Sequence, residues 1–360
     1  ATPITMSIWD LGGQDVFAAF RQNLLTDKAV YMIVFDLRPL AHVPYKAYEG
    51  DPVSADDVQA RFDHALATLR QNLLSKQMHA PNAPLFLVGT HKDAVSSPSQ
   101  LRQLDVLLKE KLALFTEPTV VRNPREFDAS GEPLAFWPVN NRLGASGDAT
   151  IARLRDAAVD AVRDADYVKQ PVPLSWTRTL DKMASLRSTK PYLTLAEATD
   201  LATSCGVFPR DVATMLSLFH DLGVTTYFYS QPSLCHYVIL DPQWLISLIA
   251  LVVRDFALHW PDLWTNPKWR TPQLASSVQA LHKEALLTRD LLNELWLDKP
   301  EPVRDFVRTL MLKTLLMAPW ATTDGPLAGK EVYLVPSLLE VSSTTGTPLP
   351  PLSTPVQAEF

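Results

Sequence analysis

Three short groups of residues have the types and spacing for chemistry on a nucleotide. In residues 4–17, ITMSIWDLGGQDVF, alternating apolar and polar positions break into Asp10-Leu11-Gly12-Gly13-Gln14. That spacing suits phosphoryl transfer: Asp10 to hold Mg²⁺ through water, Gly13 to bring a backbone N–H to a γ-phosphate, and Gln14 to orient an attacking water. Asp and Gly after a strand are also ordinary turn residues. The second group is Leu87-Val88-Gly89-Thr90-His91-Lys92-Asp93. A carboxylate just past an apolar strand can accept both N–H donors of a guanine edge, a contact adenine does not supply. The alternative for Asp93 is a cap on the following helix. The third, Trp137-Pro138-Val139-Asn140-Asn141, leaves a strand where backbone N–H groups can face a base.

Regular elements must hold these groups in place. Residues 28–37, KAVYMIVFDL, form an almost continuous apolar run, the pattern of a strand buried on both faces of a parallel sheet. Residues 54–77 carry Val58, Phe62, Leu66, Leu69 and Leu73 at helical spacing, with Ser54 as N-cap. A second buried strand is expected at 84–90, a helix at 101–115, a short strand at 134–139 and a helix at about 148–165. Strand and helix in alternation predict a doubly wound α/β domain, with ligands at the carboxyl ends of its strands. All three groups fall at such ends.

The segment 169–173, Lys-Gln-Pro-Val-Pro, reads as a linker. Beyond it helices are expected at 175–186, 194–205 and 209–222, the second opened by a Thr194/Glu197 capping box. VTTYFY and CHYVIL then read as a hairpin, and Asp241-Pro242 starts another helix. Three helices and a two-stranded wing suggest a winged-helix unit. A strand at 331–339 precedes a Thr- and Pro-rich tail.

Composition narrows the classes. Of 360 residues, 47% are apolar and 20% charged, the balance of a folded chain. A net charge of −6 argues against nucleic acid as the main partner, which needs a basic face. Cys205 and Cys235 read as buried thiols of a reducing compartment, so a cytoplasmic setting is expected. The richest apolar run, WLISLIALVV at 244–253, is half the roughly 20 residues a membrane helix needs and reads as a core helix.

Taken together, WDLGGQ, AVYMIVFDL, LVGTHKD and PVNN resemble, in order and spacing, the Roc domain of the Roco family, a Ras-like GTPase domain whose guanine motif has a Thr-His-x-Asp form. PLSW at 173–176, MLSLFHDLGV at 215–224 and VILDPQWLI at 238–246 are similar to the COR domain that follows Roc, and EVYLVPSLL looks like the entry to its second lobe. The resemblance implies a Ras-like doubly wound sheet in residues 1–168, a mostly helical first COR lobe with a winged-helix-like unit in 169–330, and the start of the second lobe in 331–360. It implies GTP or GDP with Mg²⁺ as ligands. Gln14 would be catalytic and Asp10 linked to the metal through water; Gly13, Thr90, His91, Asp93, Asn140 and Asn141 would line the nucleotide. It further implies slow GTP hydrolysis, homodimerisation through COR, and a larger chain that often carries leucine-rich repeats and a serine/threonine kinase domain.

One part of the pattern is missing. No Gly-x-x-x-x-Gly-Lys-Ser/Thr occurs in the sequence, and nine residues precede Asp10, too few for a first strand and phosphate loop. Phosphate loops supply most of the donors that hold the β- and γ-phosphates, so hydrolysis by this chain alone is not expected. The reading expects a chain that begins inside its domain; the alternative is a Roc-like scaffold without nucleotide chemistry. Another class, nucleic-acid binding by the winged-helix unit through Arg178, Lys182, Arg187, Lys190 and Arg210, is weakened by the acids interleaved with them. His91 is expected to hydrogen-bond its own loop. His220 and Asp221, before a glycine, read as a helix end, and Trp244, Trp260, Trp264 and Trp269 as core and interface anchors.

Overall fold

The computed structural model describes residues 6, 8–10, 24–44, 55–95, 97–112, 119–128, 131–253, 272–321 and 327–339. Gly13, Gln14, Ser54, Trp260, Trp264 and Trp269 lie outside them. The chain divides into two compact units whose main spans are Leu25–Pro173 and, from Leu174, the remainder.

The first unit is built on a parallel sheet of β1 (Tyr31–Asp36), β2 (Leu85–Thr90) and β5 (Trp137–Pro138), in the order β1-β2-β5. Its register pairs Tyr31 with Leu85, Asp36 with Thr90 and Val88 with Trp137. The crossover from β1 to β2 runs through α1 (Ala55–His79), that from β2 to β5 through α2 (Pro98–Lys111), and α3 (Ala149–Asp164) follows β5. Because side chains of a strand alternate, Leu85 and Leu87 point into one core with Phe62 and Leu69 of α1 and Leu104 and Leu108 of α2, while Phe86 and Val88 enter another with Trp137, Leu154 and Ala158. Both faces of β2 are therefore covered, and the unit is doubly wound as the sequence pattern requires.

β1 departs from that pattern. Tyr31, Ile33 and Phe35 pack against the first core, but Met32 and Val34 are 46% and 62% exposed. Among the described residues β1 is an edge strand, and only one of its faces is covered. The continuous apolar run predicted burial on both faces; composition alone does not say which neighbours exist. The strand expected at 134–139 is also divided. Pro133–Leu134 (β4) pairs antiparallel with Asn123–Phe127 (β3), then the Ala135 N–H is donated at 2.8 Å to the buried Asp105 carboxylate, and Trp137 joins β2. One apolar segment thus serves two sheets, because a buried acceptor diverts it midway.

In the second unit a compact cluster forms around α4 (Leu174–Leu186), α5 (Leu195–Ser204) and α6 (Val212–Asp221), with Met183, Ala198, Met215, Leu216 and Phe219 at its centre. The Thr194/Glu197 capping box is present. The predicted hairpin is different: β7 (Tyr237–Ile239) pairs antiparallel with β6 (Tyr192–Thr194), and residues 224–229 contribute a single bridge, Thr226 to Ile239. The partner of β7 comes from before α5, 43 positions away in the Thr194–Tyr237 pair, which a search for adjacent strands does not find. Asp241 caps α7 (Pro242–Ala250), accepting from the Gln243 N–H. From there a larger apolar core joins Leu245, Ile249, Trp296, Phe306 and Leu310 with the helices α8 (Pro272–Glu284), α9 (Arg289–Leu295) and α10 (Glu301–Lys313). It also takes in residues of a small antiparallel sheet, Leu286–Thr288 (β8), Val332–Leu334 (β10) and Ala318–Trp320 (β9), in the order β8-β10-β9. Cys205 and Cys235, expected buried, are both partly exposed free thiols. No helix among the described residues is long and apolar enough to cross a membrane.

Candidate functional site

The carboxyl ends of β2 and β5 carry most of the described candidate residues, and the backbone fastens them together. Val139 donates its N–H to Gly89 O at 2.8 Å, and Lys92 donates its N–H to Val139 O at 3.2 Å. The loop after β2 and the turn after β5 are therefore one rim. Gly89 is required where it stands: a Cβ there would meet Leu37 at 2.6 Å, so the bare glycine lets the turn after β1 close against β2.

Along this rim the side chains divide their tasks. The Thr90 hydroxyl donates to Phe35 O at 3.1 Å, tying the end of β2 to β1. His91 takes a left-handed backbone, φ 60° and ψ 39°, which turns the chain into the short 3₁₀ turn Lys92–Ala94. Its Nδ1 lies 3.2 Å from Thr90 Oγ1 and 3.3 Å from Asp36 Oδ1. Asp36 is itself fixed, accepting the Arg38 N–H at 2.9 Å and both Nε and Nη2 of the Arg38 guanidinium. His91 therefore binds within its own loop, as the sequence predicts. Lys92 points away, with Nζ 2.8 Å from Glu126 Oε1 and 3.3 Å from Thr150 Oγ1. Asp93 sits in the 3₁₀ turn with its side chain 34% exposed, and its carboxylate accepts no hydrogen bond among the described residues; Arg142 Nη1 stands 3.7 Å from Oδ2. A planar carboxylate, presented to solvent at the end of a parallel strand, fits the N–H pair of a guanine edge.

The third group behaves differently from expectation in one atom. The Asn140 N–H, one of two expected to face a base, is donated to Asp148 Oδ2 at 2.8 Å. The other Asp148 oxygen accepts the Thr150 N–H at 2.9 Å, so one buried carboxylate caps α3 and grips the turn after β5. Burial opposes ionisation of Asp148, but the N–H groups of Asn140 and Thr150, the Thr150 hydroxyl and the Lys92 charge outweigh it and hold the carboxyl below its ordinary range. Asn141 is exposed, and its N–H has no partner among the described residues. Of the pair, Asn141 is the one left to meet a ligand. Sequence reasoning missed Asp148, Asp36 and Arg142; an Asp directly before a predicted helix was the available signal for Asp148.

Asp10 is exposed, and nothing in the first unit's rim is built on it. Among the described residues no group of three His, Cys, Asp or Glu side chains is placed to hold a metal. Beside the carboxyl half of β1 a cavity of about 460 Å³ opens against α1, lined by Ile33, Phe35, Asp36, Arg61, His64 and Asn72 among others.

Comparison with known proteins adds an independent line. Residues 173–260 match the model of the COR-A domain, described as C-terminal of Roc. The chain is 26% identical over 256 residues to the probable serine/threonine-protein kinase roco5 of Dictyostelium discoideum, an alignment covering 70% of this chain and 8% of that protein. Over 116 residues it is 28% identical to the leucine-rich repeat serine/threonine-protein kinase 1 of Mus musculus, covering 32% of this chain and 5% of the relative. Its fold matches the structure of Methanosarcina barkeri Roco2 RocCORdC bound to GDP with a TM-score of 0.56 at 17% identity, over 92% of this chain and 79% of that one. Together these matches support a Roc-COR fragment of the Roco type. Its fold is a Ras-like α/β unit followed by a mostly helical, COR-like unit, and it spans less than a tenth of the length of either kinase relative named here.

Proposed function

We propose that this Roc-COR chain binds guanine nucleotide at the rim joining β2 and β5, as the switch of a larger signalling protein. The observation that carries the reading is the Lys92 N–H bond to Val139 O, which sets the Asp93 carboxylate beside the turn that bears Asn141. In this reading Asp93 accepts the guanine N–H pair, the Asn141 N–H meets the base oxygen, and Thr90 and His91 shape the loop, with Asn140 holding the turn. Asp10, Gly13 and Gln14 would serve the phosphates: Asp10 toward Mg²⁺ through water, Gly13 by its N–H, and Gln14 by positioning water for slow GTP hydrolysis. Bound Mg²⁺ would supply neutralisation of phosphate charge. COR-mediated homodimerisation, a cytoplasmic setting and linkage to a kinase domain belong to the same proposal; the GDP of the Methanosarcina barkeri Roco2 structure supports the guanine nucleotide, and the kinase names of the relatives support the kinase linkage.

The test is a fluorescent GDP titration with Mg²⁺, on this chain and on one lengthened at its N-terminus by a strand and phosphate loop. Binding by the lengthened chain, with preference over ADP abolished by Asp93→Ala, is expected; an unchanged GDP to ADP ratio in that variant removes the base-reading role. The alternative is a Roc-like scaffold that works through protein contacts. Failure of both chains to bind would select it.

A further inference from the structure

Arg142 is the one cation placed at the Asp93 carboxylate among the described residues, with Nη1 3.7 Å from Oδ2. At that distance the two form an ion pair without a hydrogen bond. The backbone beneath Arg142 is fixed: its N–H is donated to Asn140 Oδ1 at 3.1 Å, and the next two N–H groups, of Leu143 and Gly144, go to Asn140 O and Asn141 O. The turn therefore aims the side chain across the rim toward Asp93. The side chain itself is 85% exposed, so leaving the carboxylate disturbs no packing.

A guanidinium is a planar fork of N–H donors carrying a positive charge, and the edge of guanine is a planar pair of N–H donors. Both complement the same carboxylate. We propose that Arg142 is a displaceable stand-in for the guanine base on Asp93: it compensates the carboxylate while the site is empty and must swing out when a base enters. Arg142 then sets guanine affinity by competition. The proposal rests on the base-reading role given to Asp93 above.

Competition has a direction that a supporting contact does not. Because the pair is exposed, removing it relieves a small cost, so Arg142→Ala binds the neutral nucleoside guanosine about threefold more tightly than the unaltered chain. Salt screens the pair while leaving an uncharged ligand alone, so raising NaCl tightens guanosine binding by the unaltered chain and leaves Arg142→Ala flat. Arg142→Lys, which keeps the charge and loses the fork, falls between. The experiment is an NMR titration of the 360-residue chain, Arg142→Ala, Arg142→Lys and Asp93→Ala with guanosine at low and high NaCl, with circular dichroism confirming the fold of each. Equal or weaker binding by Arg142→Ala, or the absence of the salt effect, overturns the competition while guanosine binding itself upholds the site. The same titration is run on the N-terminally lengthened chain, and no guanosine binding by either length, unaltered or with either Arg142 substitution, overturns the Asp93 assignment, and the competition falls with it.

Discussion

At the start of α3 the Asp148 carboxylate, in a residue 8% exposed, accepts N–H bonds from Thr150 in its own helix and from Asn140 eight residues upstream. At the start of α5, Thr194 and Glu197 exchange bonds with each other's backbone, and the Glu197 side chain, 46% exposed, also meets Lys190 at 2.6 Å. Both are caps, and both carboxyls lie below their ordinary range: Asp148 because its donors outweigh burial, Glu197 chiefly through the Lys190 hydrogen bond and the Thr194 N–H. The difference is reach. The α5 cap stabilises one helix end. The α3 cap also fixes the turn that completes the candidate base site, so it links helix stability to the geometry of the rim.

The comparison breaks most sharply at Asp148. Asp148→Ala leaves one buried and one part-buried N–H donor unpaired and should cost about 2–3 kcal/mol, read by urea denaturation. It should also shift the backbone amide signals of residues 140–143 in an NMR spectrum; a cost no larger than that of a simple cap would make the two helix starts equivalent. Next comes acid. A depressed carboxyl contributes stability that is fully present above its unfolded pKa and is lost as pH falls through its lower native value. Melts between pH 7 and pH 3 should therefore lose less stability in Asp148→Asn than in the unaltered chain. Glu197→Gln should show the same sign with a smaller change that shrinks in added salt, because Glu197 is exposed and Asp148 is not. Thr194→Ala should cost about 1 kcal/mol by the same urea assay and leave the amide signals of the rim unmoved. Smallest is Lys190→Ala, at about 0.5 kcal/mol or less.

Much of this was legible in the sequence because its signals are local. The apolar run before Thr90 predicts β2, and the motif residues after it fall at its carboxyl end. Thr194 three residues before Glu197 predicts the capping box, and Asp241-Pro242 the next helix start. What escaped depends on partners distant in the chain. The exposed face of β1 follows from the neighbours it has, which the letters of KAVYMIVFDL do not record. The division of residues 134–139 follows from Asp105, some 30 positions earlier. The pairing of β7 with β6, in place of the hairpin, follows from packing around α5. The Asn140 N–H was assigned to a base because nothing in PVNN announces that Asp148 takes it first.

The left-handed backbone of His91 reaches beyond the site's chemistry to which sequences the loop can tolerate. At φ 60° a side chain crowds its own backbone, a strain that glycine escapes and that Asn and Asp bear better than most. β-Branched residues fare worst there. Position 91 is thus filtered by main-chain shape before any ligand is considered. In a saturation scan of the loop, Gly and Asn would persist for folding while losing the Asp36 contact, and Val and Ile would disappear, so survival and nucleotide response would separate at this one residue.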